Sequence, residues 1–271
     1  MKEVAIQSST KLRTITLLVF LYLFSFTFEL RAEDLHQKTI KIAAIDWCPQ
    51  LCIEQPVKGY VYDIVEKVYQ RANYKLVIDY FPWSRAIKLV RNGSYDALLS
   101  PAKKEAPDLI YPTTPVGVQQ MCFFVGSRSQ WRYEDIRSLA GLRIGMATDV
   151  SIEELNTFMH SNLAQFQFQP YNDRYVEQSV KKVLKKRVDT FLFTKNTTLF
   201  ELRRLGLEKQ IQEVGCVSKA NIYIAFSPIK KNQHHVAQLI NVYEAQMASI
   251  LNSGSLHEIL KKYGIEELPL E

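Results

Sequence analysis

Residues 81–101, FPWSRAIKLVRNGSYDALLSP, contain a strand end, a helix, a turn and a second strand in one short run. Pro82 ends extended chain and suits a helix start, where its missing N–H is no loss. Trp83, Ile87 and Val90 then recur at helical spacing, and DALL after the Asn92-Gly93 turn returns to an apolar strand. Trp83 and Arg85 are the residues that ask for an explanation. Tryptophan offers a large flat face, suited to core packing or to stacking on a bound molecule. Arg85 puts a cation in the first helical turn, against the positive end of the helix dipole, at a cost of about 0.3–1 kcal/mol. Its partner is either a bound carboxylate or phosphate, or a neighbouring Asp or Glu. Lys88 and Arg91 follow at intervals of three and read as a solvated stripe.

The same rhythm extends outward in both directions. TIKIAAI at 39–45 predicts a buried strand, the loop through Pro56 and Gly59 follows, and Ile64, Val65, Val68, Tyr69 and Ala72 mark one face of a helix before the strand YKLVIDYFP. A second cycle starts near residue 120 with MCFFVGS. Residues 139–158 read as a strand, a loop and a helix, with Ser151 and Glu154 in capping-box positions. An amphipathic helix through Val176, Val180, Val183 and Leu184 leads to the strand VDTFLFT, a helix stopped by Gly206 and the strand NIYIAFSP. Two amphipathic helices follow, the first through Val236, Leu239, Ile240, Tyr243 and Met247, the second through Leu256, Ile259 and Leu260, stopped by Gly264. Strands alternating with helices argue for an α/β fold with parallel sheet, and no Gly-, Pro- or Ser-rich linker separates the two cycles.

Residues 1–32 stand apart: Lys2, Lys11 and Arg13 precede the apolar run at 14–28, and Ala32 follows. That order predicts a secretory signal cleaved near Ala32, the alternative being an uncleaved anchor. Without those residues, which hold four basic and two acidic side chains, the net charge falls from +6 to +4. The excess is spread in lysine-rich doublets that read as solvated faces, so no nucleic-acid partner is expected. Cysteines 48, 52, 122 and 216 lie in a chain bound for an oxidising compartment. CPQLC spaces Cys48 and Cys52 for a small disulfide loop. His36, His160, His234, His235 and His257 stand at no ligand spacing from that pair, so no metal is expected. Cys122 and Cys216 either pair or stay buried and free.

Taken in order, GYVYDIVEKV, PWSRAIKLVRNGSYDALL, SLAGLRIGMATDVS, RVDTFLF, IYIAFSP and NSGSLHEILKKYG resemble the type II periplasmic solute-binding proteins, in the family 3 branch that includes polar amino-acid receptors of ABC importers. The resemblance runs from about Thr39 to Tyr263. It implies a two-lobed α/β fold, with two parallel-type sheets joined by the crossover strands QQMCFFVGS and NIYIAFSP. Lobe 1 would comprise 33–118 plus 229–271, and lobe 2 119–228. It implies a monomer without cofactor that traps a small solute in its cleft for an inner-membrane permease.

By position, Trp47 and Trp83 match the two aromatics that sandwich the ligand in relatives. Ser100 falls at the lip of lobe 1, and Thr148 and Ser151 fall where a helix start offers N–H groups and hydroxyls, Ser151 having the rival role of cap. Two departures are evident. Glu105 lies near the place of the arginine that holds a ligand carboxylate, and Thr194, followed by Lys195, stands where relatives carry an acid for the ligand ammonium. An aromatic, heterocyclic or anionic solute therefore suits Trp47, Trp83, Arg85 and Lys195 better than a free amino acid in the usual pose. Two further readings remain open. One is an enzyme resembling cyclohexadienyl dehydratases, with Asp46, Asp149 or Glu153 as its acid. The other is a sensor that docks on a receptor.

Overall fold

The computed structural model describes residues 38–53, 56–148, 150, 152–172, 174–229, 233–266 and 268. The expected leader over 1–32 lies outside the described residues. The first strand–helix cycle comprises β1 (Lys38–Ala44), α1 (Tyr60–Gln70), β2 (Tyr74–Tyr80), α2 (Trp83–Arg91) and β3 (Ala97–Ala102). After the long strand β4 (Gly117–Gly126) comes the second: β5 (Ile144–Ala147), α3 (Glu153–Ser161), β6 (Phe166–Gln169), α4 (Tyr175–Leu184), β7 (Thr190–Thr194) and α5 (Lys195–Leu205). The longer strand β8 (Ile211–Phe226) then returns, followed by α6 (Gln233–Asn252) and α7 (Ser255–Lys262). No helix among the described residues is long and apolar enough to cross a membrane.

One continuous sheet runs β2-β1-β3-β8-β4-β7-β5-β6. Read from either edge the pattern is the same. β1 pairs with β3 in parallel and β3 with β8 antiparallel, while β5 pairs with β7 in parallel and β7 with β4 antiparallel. At the centre β4 and β8 run antiparallel from the Gly117 and Ile222 pair to the Gly126 and Ile211 pair, so these two strands belong to both halves. Each half has its own apolar cores. Ile40, Ile42, Ile64, Val68, Leu239 and Tyr243 pack together in the first, and Phe124, Val180, Phe191 and Leu202 in the second. This is a two-lobed α/β fold with two crossover strands, although its strands hydrogen-bond across the junction as one curled sheet.

The sequence reading finds the helices and most strands, with three differences. β8 begins at Ile211, ten residues before the expected Asn221. The added segment IQEVGCVSKA lacks a clean apolar alternation, and pairing with β4 holds it extended. β6 passed unread because it is a four-residue edge strand with two exposed positions. The expected helix start differs too. Ile152 stands at the N-cap of α3, and its N–H donates to the Asn156 side chain at 3.2 Å, while Ser151 lies outside the described residues. Both cysteine pairs are disulfides: Cys48 with Cys52, S–S 2.09 Å, and Cys122 with Cys216, S–S 2.06 Å. The second joins residues that face each other on β4 and β8, in a stretch where the register shifts on either side of Cys122.

Candidate functional site

The Cys48–Cys52 loop is built to carry Trp47. Trp47 and Leu51 exchange both backbone hydrogen bonds, at 2.8 and 3.0 Å, and close the loop on itself. The carbonyls of Pro49 and Gln50 accept the N–H groups of Tyr60 and Val61, so the loop caps α1, which has no side-chain cap. Gly59 makes that approach feasible: its φ is +106°, and a Cβ there would lie 2.3 Å from the Gln50 carbonyl oxygen. Trp47 is left only 8% exposed. Trp83 comes from the other side as the first residue of α2, half-buried, with Pro82 at the N-cap.

Ser100 interrupts β3. Its φ is +68°, a left-handed backbone that serine rarely adopts, and the register with β8 shifts between Leu99 and Ala102. The bulge turns a hydroxyl inward that is buried and has no hydrogen-bond partner. Thr194 provides the counterpart from the other half. It ends β7 at the N-cap of α5, a position where a threonine hydroxyl ordinarily accepts a helix N–H; here it makes no such bond and is buried without a partner. Phe193 beside it is flanked by Tyr171 and Tyr175, with ring centroids at 5.4 and 4.5 Å.

These residues meet around one cavity of about 220 Å³, lined by Trp47, Trp83, Tyr171, Phe193, Ser100, Thr194, Glu105, Gln119, Met121, Ile45 and Val150. Glu105 Oε2 accepts the N–H of Ala102 at 2.7 Å. Glu105 is exposed as a whole residue, yet desolvation of its carboxyl by the surrounding protein pushes it above the ordinary carboxylate range, against the opposing effect of that hydrogen bond. A larger concavity of about 870 Å³ lies at the far ends of β4 and β8. Its Arg143 and Asp189 neutralise each other at 2.7 Å, and no buried unpartnered side-chain atom lines it among the described residues. The smaller cavity is therefore the candidate site.

Of the residues singled out by sequence, Trp47, Trp83, Ser100 and Thr194 come together here. Arg85 does not line the cavity. It is exposed, with its guanidinium over the Phe81 ring at 5.4 Å, a cation–π contact. Lys195 is also engaged elsewhere, 2.7 Å from Glu213. Thr148 is exposed in the turn after β5, where its N–H donates to the Gln169 carbonyl. Ser151 and Asp149 lie outside the described residues. Asp46 is exposed and accepts the Ile53 N–H, and Glu153 pairs with Lys104 on the surface. The sulfurs of Cys122 and Cys216 lie near Glu213 but are joined as a disulfide, which leaves no thiolate for a metal.

Tyr171, Phe193, Gln119 and Met121 escaped the sequence reading. Phe193 and Thr194 are neighbours at the end of a buried strand, and which of them reaches the cavity is decided by strand ends and not by alternation. Tyr171 follows β6, the strand that was itself unread. Glu105 was visible only as a residue of the wrong charge in its place.

Two half-sheets of matching order, joined by paired crossover strands and sharing a cleft between them, define a periplasmic-binding-protein architecture. The chain belongs to the bacterial extracellular solute-binding proteins, family 3, which it matches over residues 42–266. No curated protein matches the chain. Among solved structures, one described in work on glutathione import through the cystine ABC importer of Streptococcus mutans has a TM-score of 0.67 and 18% identity, over 86% of this chain and 98% of that one. The probable amino-acid ABC transporter binding protein of Bacillus subtilis gives 0.64 and 14%, over 83% and 97%. A histidine kinase sensor domain similar to periplasmic binding proteins gives 0.63 and 16%, over 85% and 99%. Identities this low speak to the fold alone.

Proposed function

We propose that this chain is a periplasmic receptor that traps a small solute between two lobes, 33–118 plus 229–271 and 119–228, and hands it as a monomer to an ABC-type permease, after export and removal of residues 1–32. One observation carries the reading. Ser100 and Thr194, from opposite halves of the sheet, carry buried, unpartnered hydroxyls and line a single cavity together with four aromatic residues. A buried hydroxyl without a partner costs about 1–3 kcal/mol, so a bound molecule that engages both groups recovers that energy only when both halves close on it. A volume of about 220 Å³ is below the roughly 300–1,000 Å³ of sites for drug-sized ligands and favours a small solute. Of the solute classes expected from sequence, those with a ring or apolar body match the four aromatics. Anions lose their support, because Arg85 and Lys195 are engaged elsewhere while Glu105 lines the cavity.

Native mass spectrometry of protein purified from the periplasm, followed by a thermal-shift screen, tests the proposal. A co-purified small molecule, or a solute present at about 100 times its Kd, should raise stability by about 2.7 kcal/mol. A chain that carries nothing and shifts with nothing is not a receptor. Glu105 favours one alternative, because a carboxyl raised above its ordinary range at an aromatic-lined cavity also suits acid-assisted loss of water. Conversion of a ring carboxylate such as prephenate to product in the same samples would decide for the enzyme.

A further inference from the structure

We infer that the solute is an organic cation, a quaternary or protonated amine without a carboxylate, held by the rings of Trp47, Trp83, Tyr171 and Phe193 with Glu105 as its counter-charge. The inference rests on the cleft being a solute site and goes on to name what it holds. Among the described residues that line the cavity, four are aromatic, Glu105 alone is charged and none is basic. The faces of aromatic rings carry negative potential, and a cation desolvated against them gains more than it would at an exposed site. An anion would meet that potential and the Glu105 charge together. A zwitterionic amino acid would bury a carboxylate with no cation to receive it.

The nearby basic groups are accounted for. Arg85 lies over Phe81, Lys103 over Tyr223 at 4.8 Å, Lys195 against Glu213, and Lys104 pairs with Glu153. Glu105 suits the remaining role. Its Oε2 is fixed by the Ala102 N–H, which orients the carboxylate, and Oε1 has no intramolecular donor among the described residues. Ser100 and Thr194 then offer neutral hydrogen-bonding groups for a hydroxyl or carbonyl elsewhere on the solute.

The test uses mature protein stripped of co-purified ligand and titrated calorimetrically with choline and tetramethylammonium. The comparison compounds are the neutral isostere of choline, in which carbon replaces the ammonium nitrogen, the matching carboxylate anion, and the common L-amino acids. The expected result is binding of at least one cation about tenfold or more tighter than the neutral isostere. In Glu105→Gln, which keeps the acceptor for Ala102, that preference should collapse while affinity for the neutral isostere stays within about twofold. Trp47→Leu should weaken both, and thermal melts verify that each variant folds. The inference is overturned if the neutral isostere equals the cations, if an anion or amino acid exceeds them, if the preference survives in Glu105→Gln, or if neither cation binds. Tight binding of another solute class would leave the receptor reading intact and remove only the cation. Absence of any bound or shifting compound would remove both.

Discussion

At the scale of single residues, Ser100 is the sharpest departure from what the chain would adopt unforced. A non-glycine residue in the left-handed region costs about 1–3 kcal/mol and persists only where the surroundings impose it. Here the imposing feature is the bulge between Leu99 and Ala102, and it sets at the cavity a serine whose hydroxyl is buried without a partner. Ser100→Gly should therefore stabilise the ligand-free protein by about 1 kcal/mol in urea melts while solute affinity falls several-fold. A variant that loses stability would refute the assignment of strain to that position. Thr194→Val removes a second buried hydroxyl without changing its shape. It should leave the ligand-free protein as stable or up to about 1 kcal/mol more so, and lower affinity by about fivefold to tenfold in the same titration. Were Thr194 simply a helix cap, Val would instead cost about 1 kcal/mol and leave binding unchanged.

Among the elements, the loop that carries Trp47 and the two crossover strands have separable roles. The loop docks through carbonyls on the N-terminus of α1, and the close approach depends on Gly59. Gly59→Ala puts a methyl group where backbone already lies, at a φ hostile to alanine. It should destabilise by more than about 1 kcal/mol and reduce the quenching of Trp47 fluorescence by solute, because the loop must lift to make room. The crossovers behave differently. Cys122–Cys216 closes a long stretch of chain, separated by 94 residues. Loop-closure entropy gives such a bridge about 4.7 kcal/mol, and native bridges of this kind commonly contribute about 2–5 kcal/mol. The double variant Cys122→Ser with Cys216→Ser should lower the urea midpoint strongly. Affinity per folded molecule should change little, since neither cysteine lines the cavity. Arg203 adds a second tie by donating to the carbonyls of Gly264, at 2.7 Å, and Tyr263, at 3.1 Å, which joins α5 to the end of α7.

For the whole molecule, the candidate cavity takes residues from both halves of the sheet, and charge then governs pH behaviour. Glu105 binds its proton more tightly in the folded state than in the unfolded chain, because desolvation penalises the carboxylate. Its contribution to stability is thus fully present below its unfolded pKa, near 4, and is lost as pH rises through the raised folded value. Thermal melts across this window should show Glu105→Gln gaining on the wild type toward neutral pH and matching it in acid. A bound cation should offset the loss, so solute stabilisation should grow with pH over the same window. The opposite trends in the two variants would exclude Glu105 as the titrating group. The Lys104 and Glu153 pair joins the loop after β3 to the first turn of α3, but both side chains are largely exposed, so its contribution is small and fades with salt.

Much of this was legible in the chain. Periodicity gave the helix of Ile87 and Val90 and the buried strands, since each must present apolar residues at fixed spacing to one core. The order of six segments gave the two-lobed fold, and the resemblance singled out Trp47, Trp83, Ser100 and Thr194, all four of which line the cavity. What sequence could not supply was the outcome of competition among partners. Arg85 and Lys195 offered free cations on paper, yet in the fold they meet Phe81 and Glu213. Glu105 and Tyr171, distant in the chain, line the same cavity. Local pattern determines which segments fold and which faces they bury. Only tertiary contact decides which charges are satisfied within the protein and which are left for a ligand, because electrostatic and π interactions act across space and leave no period in the sequence.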